Sequence, residues 1–340
     1  MNGAAAEYRE AIRLNPKAAA AHNSLGDILF NAKDHEGAIV EFREAIRLKP
    51  DYAEAHGNLG YVLSAKKYLA GAIEELREAI RLKPELDWAR RELVRVLQEK
   101  GDLEGAIAQY REAIRVEPTW TWCRQELVDT FKKKGDLNEA LAALREVLQS
   151  KPDDALAHND VGNLLYDKGD YAEAILEYRE AIRLKPDDGV LHFNLAQALQ
   201  QKGKLEVAIA ECRKAISLKP NDAGIYNALG NMLFSKDLFA DAGTKYKQAI
   251  SLDPSVGVYH HNLGQVLYRQ GDIESSITKY QEAIRLDPNL AVAHFNLGVA
   301  LEGKGNRIAA LREYRAAHKI EPDNADYRAA SDRLWDQSKK

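Results

Sequence analysis

The chain has 340 residues, 45% of them apolar and 29% charged, with a formal net charge of −4. So apolar a composition excludes a disordered chain, and no unbroken apolar run reaches the length of a membrane span. The slightly acidic balance argues against a nucleic-acid binder held by phosphate contacts. Length alone predicts about two domains, but the prolines point elsewhere. Pro16, Pro50, Pro84, Pro118, Pro152, Pro186, Pro220, Pro254, Pro288 and Pro322 stand 34 residues apart without exception. A fixed period of this size marks a repeat array.

In chain order, residues 1–18 read as a partial repeat that opens at a second helix. Nine complete repeats follow: 19–52, 53–86, 87–120, 121–154, 155–188, 189–222, 223–256, 257–290 and 291–324. Residues 325–340 read as a solvated C-terminal capping helix, in which Ser331 and Asp332 stand where earlier repeats have Leu-Gly. Terminal caps of this kind keep repeat arrays soluble. No linker divides the series, so a single array over 1–340 is expected. The opening at a second helix suggests a fragment of a longer protein or an engineered boundary.

Positions within a repeat are numbered so that Pro is 32. Each repeat then predicts two helices. The first ends at a Gly-Asp or Lys-rich turn, marked well by Gly101-Asp102, Gly135-Asp136, Gly169-Asp170 and Gly271-Asp272, where glycine suits a left-handed cap. The second carries the pattern EYREAIRL and stops before Pro, which disfavours helix in the residue ahead of it. Small residues at position 8 (Gly26, Gly60, Gly162, Gly230, Gly264, Gly298) and aromatics at position 24 (Phe42, Tyr110, Tyr178, Tyr246, Tyr280, Tyr314) suit helices whose axes approach closely.

These residues resemble the tetratricopeptide repeat family over essentially the whole chain; Ala155–Asp188 is nearly its consensus. The resemblance implies an all-α fold, a right-handed superhelical α-solenoid of helix-turn-helix repeats. It also implies a non-catalytic scaffold that binds an extended peptide or protein segment in its concave groove. Two alternatives remain open: a regulatory or substrate-recruiting arm of a larger enzyme such as a glycosyltransferase or kinase, and a scaffold that self-assembles into homo-oligomers through its terminal helices.

No catalytic or metal motif is visible: there is no phosphate-binding glycine loop, no HExxH and no CxxC. No cofactor is expected. His22, His56, His158, His192, His260 and His294 recur at position 4, but neighbouring helices lie roughly 8–10 Å apart. Zinc ligands must all reach to about 2 Å, so the histidines predict packing beside the helix pair and no metal. Cys123 and Cys212 are 89 residues apart, too few and too distant for a disulfide framework, and read as core thiols. They are compatible with a cytoplasmic location, as is the lack of a recognisable leader.

On a first helix, positions 2, 5, 9 and 12 point away from the apolar positions 3, 7, 10 and 11. In the family these phases line the inner groove. The candidate peptide-binding residues at them are Trp88 and Trp122 (position 2), Arg91, Gln125, Asn159, Phe193, Asn227, His261 and Phe295 (position 5), Arg95, Asn163, Gln197, Asn231 and Gln265 (position 9), and Tyr166 and Tyr268 (position 12). Amides can pair with both halves of a peptide bond and aromatic rings give anchor contacts. Position 6 adds Asn58, Asn194, Asn262 and Asn296, which resemble part of the asparagine ladder in the repeats of O-linked N-acetylglucosamine transferases. The Lys-Asn-Asn-Lys-Arg clamp of chaperone-binding relatives has no counterpart, because position 2 holds no Lys. In the irregular window 87–154, Val94 and Val128 replace glycine and Arg90 and Arg124 replace histidine. There Trp88 and Trp122, beside Arg91 and Arg95, predict a cup for an acidic or aromatic side chain.

Overall fold

The computed structural model describes residues 2–117 and 120–338. Pro118 of the proline series, and the last two residues of the expected terminal helix, lie outside the described residues. Every regular element among the described residues is an α-helix. By contacts between residues, the chain divides into two compact units, 1–160 and 161–340, with the boundary inside one helix.

The first unit opens with α1 (Asn2–Leu14). Helix pairs follow: α2 (Ala19–Asn31) with α3 (His35–Leu48), α4 (Ala53–Ala65) with α5 (Leu69–Leu82), α6 (Asp87–Lys100) with α7 (Leu103–Val116), and α8 (Thr121–Lys134) with α9 (Leu137–Ser150). Helix α10 (Ala155–Lys168) spans the boundary. The second unit continues with α11 (Tyr171–Leu184), then α12 (Gly189–Gln201) with α13 (Leu205–Leu218), α14 (Ala223–Phe234) with α15 (Phe239–Leu252), α16 (Gly257–Arg269) with α17 (Ile273–Leu286), and α18 (Ala291–Gly303) with α19 (Arg307–Ile320). It ends in α20 (Ala325–Ser338). Each unit is thus a stack of helix hairpins, the architecture of an α-solenoid.

Local chemistry sets the hairpin. The turn residue at position 15 has positive φ, and glycine supplies it at Gly101, Gly135, Gly169, Gly203, Gly271 and Gly305. Lys33, Lys67 and Asp237 hold the same conformation with a side chain attached. The next residue caps the second helix: Asp34, Asp102, Asp136, Asp272 and Asn306 each accept the backbone N–H three residues on, satisfying a donor the helix leaves orphaned.

Inside the hairpin, a β-carbon built on Gly26, Gly162, Gly230, Gly264 or Gly298 would stand 2.5–2.7 Å from the ring of Phe42, Tyr178, Tyr246, Tyr280 or Tyr314. The missing side chain at position 8 is therefore the seat of the aromatic at position 24. Ala38, Ala45, Ala72, Ala79, Ala174 and Ala181 are fully buried on the second helices, where any larger group would force the axes apart.

The C-terminal helix is more than a solvated cap. Tyr327 and Leu334 on α20 are buried against Ala317 and Tyr314 of α19, and Arg333 pairs through both amino groups with the Glu302 carboxylate at 2.7 Å.

Candidate functional site: the exposed faces of the first helices

The position 4 histidines are not simple packing groups. Nδ1 of His22, His56, His192 and His294 lies 2.6–2.8 Å from the carboxylate of Glu41, Glu75, Glu211 and Glu313, nineteen residues later. Nε2 faces the carbonyl of Pro16, Pro50, Pro186 and Pro288, six residues earlier, at 2.9–3.4 Å. Each ring therefore joins its own second helix to the end of the preceding repeat. Where the chemistry drifts, the partners drift together. Arg90 reaches Pro84 O at 3.0 Å and Gln109 Oε1 at 3.3 Å, and Tyr226 instead sits under Lys245 Nζ at 5.8 Å. At His260 the residue nineteen on is Lys279, and its Nδ1 has no hydrogen-bond partner among the described residues.

The asparagines of position 6 bind the preceding repeat. Asn58 Nδ2 donates to Asn23 Oδ1 at 3.1 Å and Asp27 Oδ1 at 2.9 Å. Asn262 Nδ2 donates to Asn227 Oδ1 at 2.9 Å and Asn231 Oδ1 at 3.2 Å, and Asn194 Nδ2 to Asn163 Oδ1 at 3.2 Å. Asn163 and Asn231 also accept the hydroxyls of Tyr178 and Tyr246, at 2.9 and 2.8 Å. Positions 5, 6 and 9 form cross-repeat amide ties within each unit. These ties use donor groups that the sequence reading assigned to a peptide.

The ties extend furthest around His261. Asn296 Nδ2 donates to His261 Nε2 at 2.9 Å, so the ring proton sits on Nδ1, which donates to Asn262 Oδ1 at 3.1 Å. Burial lowers the His261 pKa below the ordinary value, consistent with the neutral ring this network needs.

Three candidate contacts are consequently internal. His261 and Asn262 are buried. Phe295 packs against the rings of Tyr314 and Tyr327, with centroids 5.5 and 4.9 Å away, because α20 covers the face that α18 would otherwise expose. Tyr268 is partly buried against the Ile277–Tyr280 core, and Tyr166 packs edge-on to Tyr171 at 5.2 Å. Phe193, Gln197, Asn227, Asn231, Gln265, Asn159, Asn194 and Asn296 are half-buried, while Asn163 and Gln125 are exposed; Gln125 donates to Asp129 at 3.2 Å.

The expected acid-binding cup is already filled. Arg91 lies 4.3 Å over the Trp122 ring and donates to Asp87 Oδ2 at 2.7 Å, and Trp122 Nε1 donates to Asp87 Oδ1 at 2.8 Å. Arg95 is paired with Glu92 and Glu99. Asp87, one helical turn before Arg91, neutralises the charge the cup needed. Trp88 has different neighbours: it rests on Gly57, where a β-carbon would stand 2.5 Å from Cη2, and it is 39% exposed.

Cys123 and Cys212 are buried free thiols, pushed up to about 11 and about 12 by burial, so neither is a nucleophile at neutral pH. No cluster of three metal-ligating side chains occurs among the described residues. No helix among the described residues is long and apolar enough to cross a membrane.

A family profile described as TPR repeat matches residues 26–67, 162–203, 199–237, 230–271 and 264–305. Two further profiles, described as tetratricopeptide repeat, match 97–164 and 53–86. A search of curated proteins gives no match. Among solved structures, MamA is 27% identical over 49% of this chain and 98% of its own, with a TM-score of 0.45. YrrB, described as a TPR protein with an unusual peptide-binding site, is 21% identical over 57% of this chain and 100% of its own, with a TM-score of 0.47. The hetero-tetramer Cut9–Hcn1 of the APC/C shares the fold over 94% of this chain and 84% of its own, at 14% identity and a TM-score of 0.53. With a single profile matching more than half of its residues, the chain belongs to the tetratricopeptide repeat family.

Proposed function

We propose that this chain is a protein-interaction scaffold whose first-helix faces hold an extended peptide segment. The observation that carries the reading is the pairing of fixed amides with open aromatic edges. In the first unit Asn58 is held by Asn23 and Asp27 and lines one cavity with Trp88 and Tyr61, which remain 39% and 43% exposed; in the second unit Asn163 and Asn231 are held by a tyrosine hydroxyl and the next repeat's asparagine. Pre-oriented polar groups lose little entropy on binding, and exposed aromatics are common anchors.

Selection from randomised dodecapeptides displayed on phage tests the reading. Wild type is expected to enrich a consensus, and the double variant Phe193→Ala, Gln197→Ala to weaken the selected peptides about tenfold, the effect of losing one anchor of roughly 1.4 kcal/mol. Absence of any enriched peptide, or equal affinity of the variant, would overturn it.

A further inference from the structure

The strongest unassigned site lies in the first unit, where α2, α4 and α6 contribute to one cavity of about 250 Å³. This is below the range of drug-sized ligand pockets, roughly 300–1,000 Å³, and suits a single side chain. Its walls are Phe30, Tyr61 and Trp88, its base Phe42 and Val62, and its polar edge Asp27 and Asn58. Phe30 and Tyr61 meet at 73° with centroids 5.4 Å apart, forming a corner. Gly57 lets the Trp88 ring close the third side.

Asp27 distinguishes this cavity from the corresponding places at Asn163 and Asn231. Asn163 and Asn231 occupy the same repeat position, are neutral, and accept a hydroxyl from Tyr178 and Tyr246. In the first complete repeat the ring is Phe42, which has no hydroxyl to give. Asp27 Oδ1 accepts from Asn58 at 2.9 Å, whereas Oδ2 receives no hydrogen bond from any described residue. No Lys, Arg or His forms an ion pair with Asp27 among the described residues. Burial raises its pKa, so the unpaired carboxylate is held at an electrostatic cost that an incoming cation would offset.

We propose that Phe30, Tyr61, Trp88 and Asp27 form a cage for the cationic side chain of a Lys or Arg in the bound peptide. Ring faces carry negative quadrupole charge and attract a cation placed over them; the carboxylate supplies the formal counter-charge and a hydrogen-bond acceptor. The cage rests on the peptide-scaffold reading above and adds a ligand preference to it. It also reverses the sign expected for this part of the chain, because the arginines at Trp122 are already paired with carboxylates.

The test uses the full chain immobilised, with pools of randomised dodecapeptides whose central residue is fixed as Lys, Arg, trimethyl-lysine, norleucine or Glu. Wild type is expected to retain the Lys and Arg pools about tenfold better than the norleucine and Glu pools, the scale of a partly desolvated cation over aromatic rings. Asp27→Asn, which installs the residue found at Asn163 and Asn231 and so preserves the fold, is expected to cut that preference below about threefold and leave norleucine retention unchanged. Trp88→Ala, checked for unchanged helical circular dichroism, is expected to lose the preference entirely. Retention of all pools without a cation preference, or a preference untouched by Asp27→Asn, overturns the cage and leaves the scaffold reading standing. Retention of no pool overturns both. Trimethyl-lysine retained above Lys assigns the cage to methylated side chains, still within the cationic class; trimethyl-lysine at the norleucine level with Lys retained supports direct donation to Asp27.

Discussion

The Tyr178 ring occupies the space a side chain on Gly162 would need: Cε1 stands 2.6 Å from an ideal β-carbon there. Because the ring is nearly fully buried and its hydroxyl is tied to Asn163, it cannot swing aside cheaply. Gly162→Val is expected to lower stability by about 2 kcal/mol through overpacking. Gly303→Ala, with nothing within 4 Å of the new methyl group, is expected to gain up to about 1 kcal/mol from helix propensity. Urea midpoints of the two variants should move in opposite directions; a shared direction would refute the packing account.

Lys33 holds a left-handed backbone, φ 66°, at the turn between α2 and α3. A β-carbon in that region costs roughly 1–2 kcal/mol. Lys33→Gly is therefore expected to stabilise the chain by about 1 kcal/mol, read as a raised urea midpoint. The same change at an ordinary helical residue, such as Lys319 on α19, should do the reverse.

Two histidines should respond to pH with opposite signs. The hydrogen bond from Glu313 raises the His294 pKa, and the bond from His294 lowers that of Glu313. The His294 contribution is fully present below the unfolded value of about 6.5 and is lost as pH rises through the higher folded value. The Glu313 contribution is present above about 4.5 and is lost as pH falls through its depressed folded value. His261 is lowered by burial, so the unfolded chain takes up a proton that the folded chain refuses, and stability falls as pH drops below about 6.5. Measured between pH 5.5 and 8, His294→Gln should be most destabilising at the acid end. His261→Gln should lose least, relative to wild type, at that same end. Parallel pH profiles for both variants and wild type would contradict this assignment.

Asp160 stands at position 6, where four other repeats have asparagine. Burial pushes its carboxyl up to about 6 despite the Arg124 guanidinium beside it. Raising an acid's folded pKa means that stability declines as pH climbs from the unfolded value to the folded one. Asp160→Asn should therefore stabilise the chain at pH 8 by about 1 kcal/mol and give little gain at pH 4. Arg124 keeps Asp154 at 2.7 Å in the variant. A larger gain at pH 4 than at pH 8 would reverse the assignment.

The hairpin was readable from residues alone because each of its determinants is local or recurs every 34 residues: the proline, the Gly-Asp turn, and the glycine that faces an aromatic sixteen positions on. The wiring of the first-helix faces was not, because its partners lie across repeats. Asn58 finds Asn23 and Asp27, thirty-five and thirty-one residues back, so its phase on one helix cannot tell whether its amide is free. The Arg91–Trp122 stack was misjudged for the same reason, since Asp87 joins two first helices. A readable signal did exist for the histidines. Glu nineteen residues after His recurs at Glu41, Glu75, Glu211 and Glu313, and at each of these the recurrence is a contact that the spacing made visible. The cationic cage was divided between phases 2, 9 and 12 of three successive repeats, and only the stacked helices bring Trp88 to Asp27.

Because every histidine at position 4 grips the proline carbonyl that ends the previous repeat, the joint at those repeats is carried by a transferable set: a proline, a histidine six residues later and, for His22, His56, His192 and His294, a glutamate nineteen after that. Excision of residues 53–86 would bring Pro50 to Arg90, whose guanidinium already accepts that role toward Pro84. The histidine and Arg90 joints are thus interchangeable couplings, and a chain shortened between two of them has a ready-made splice that keeps both halves of the fastening.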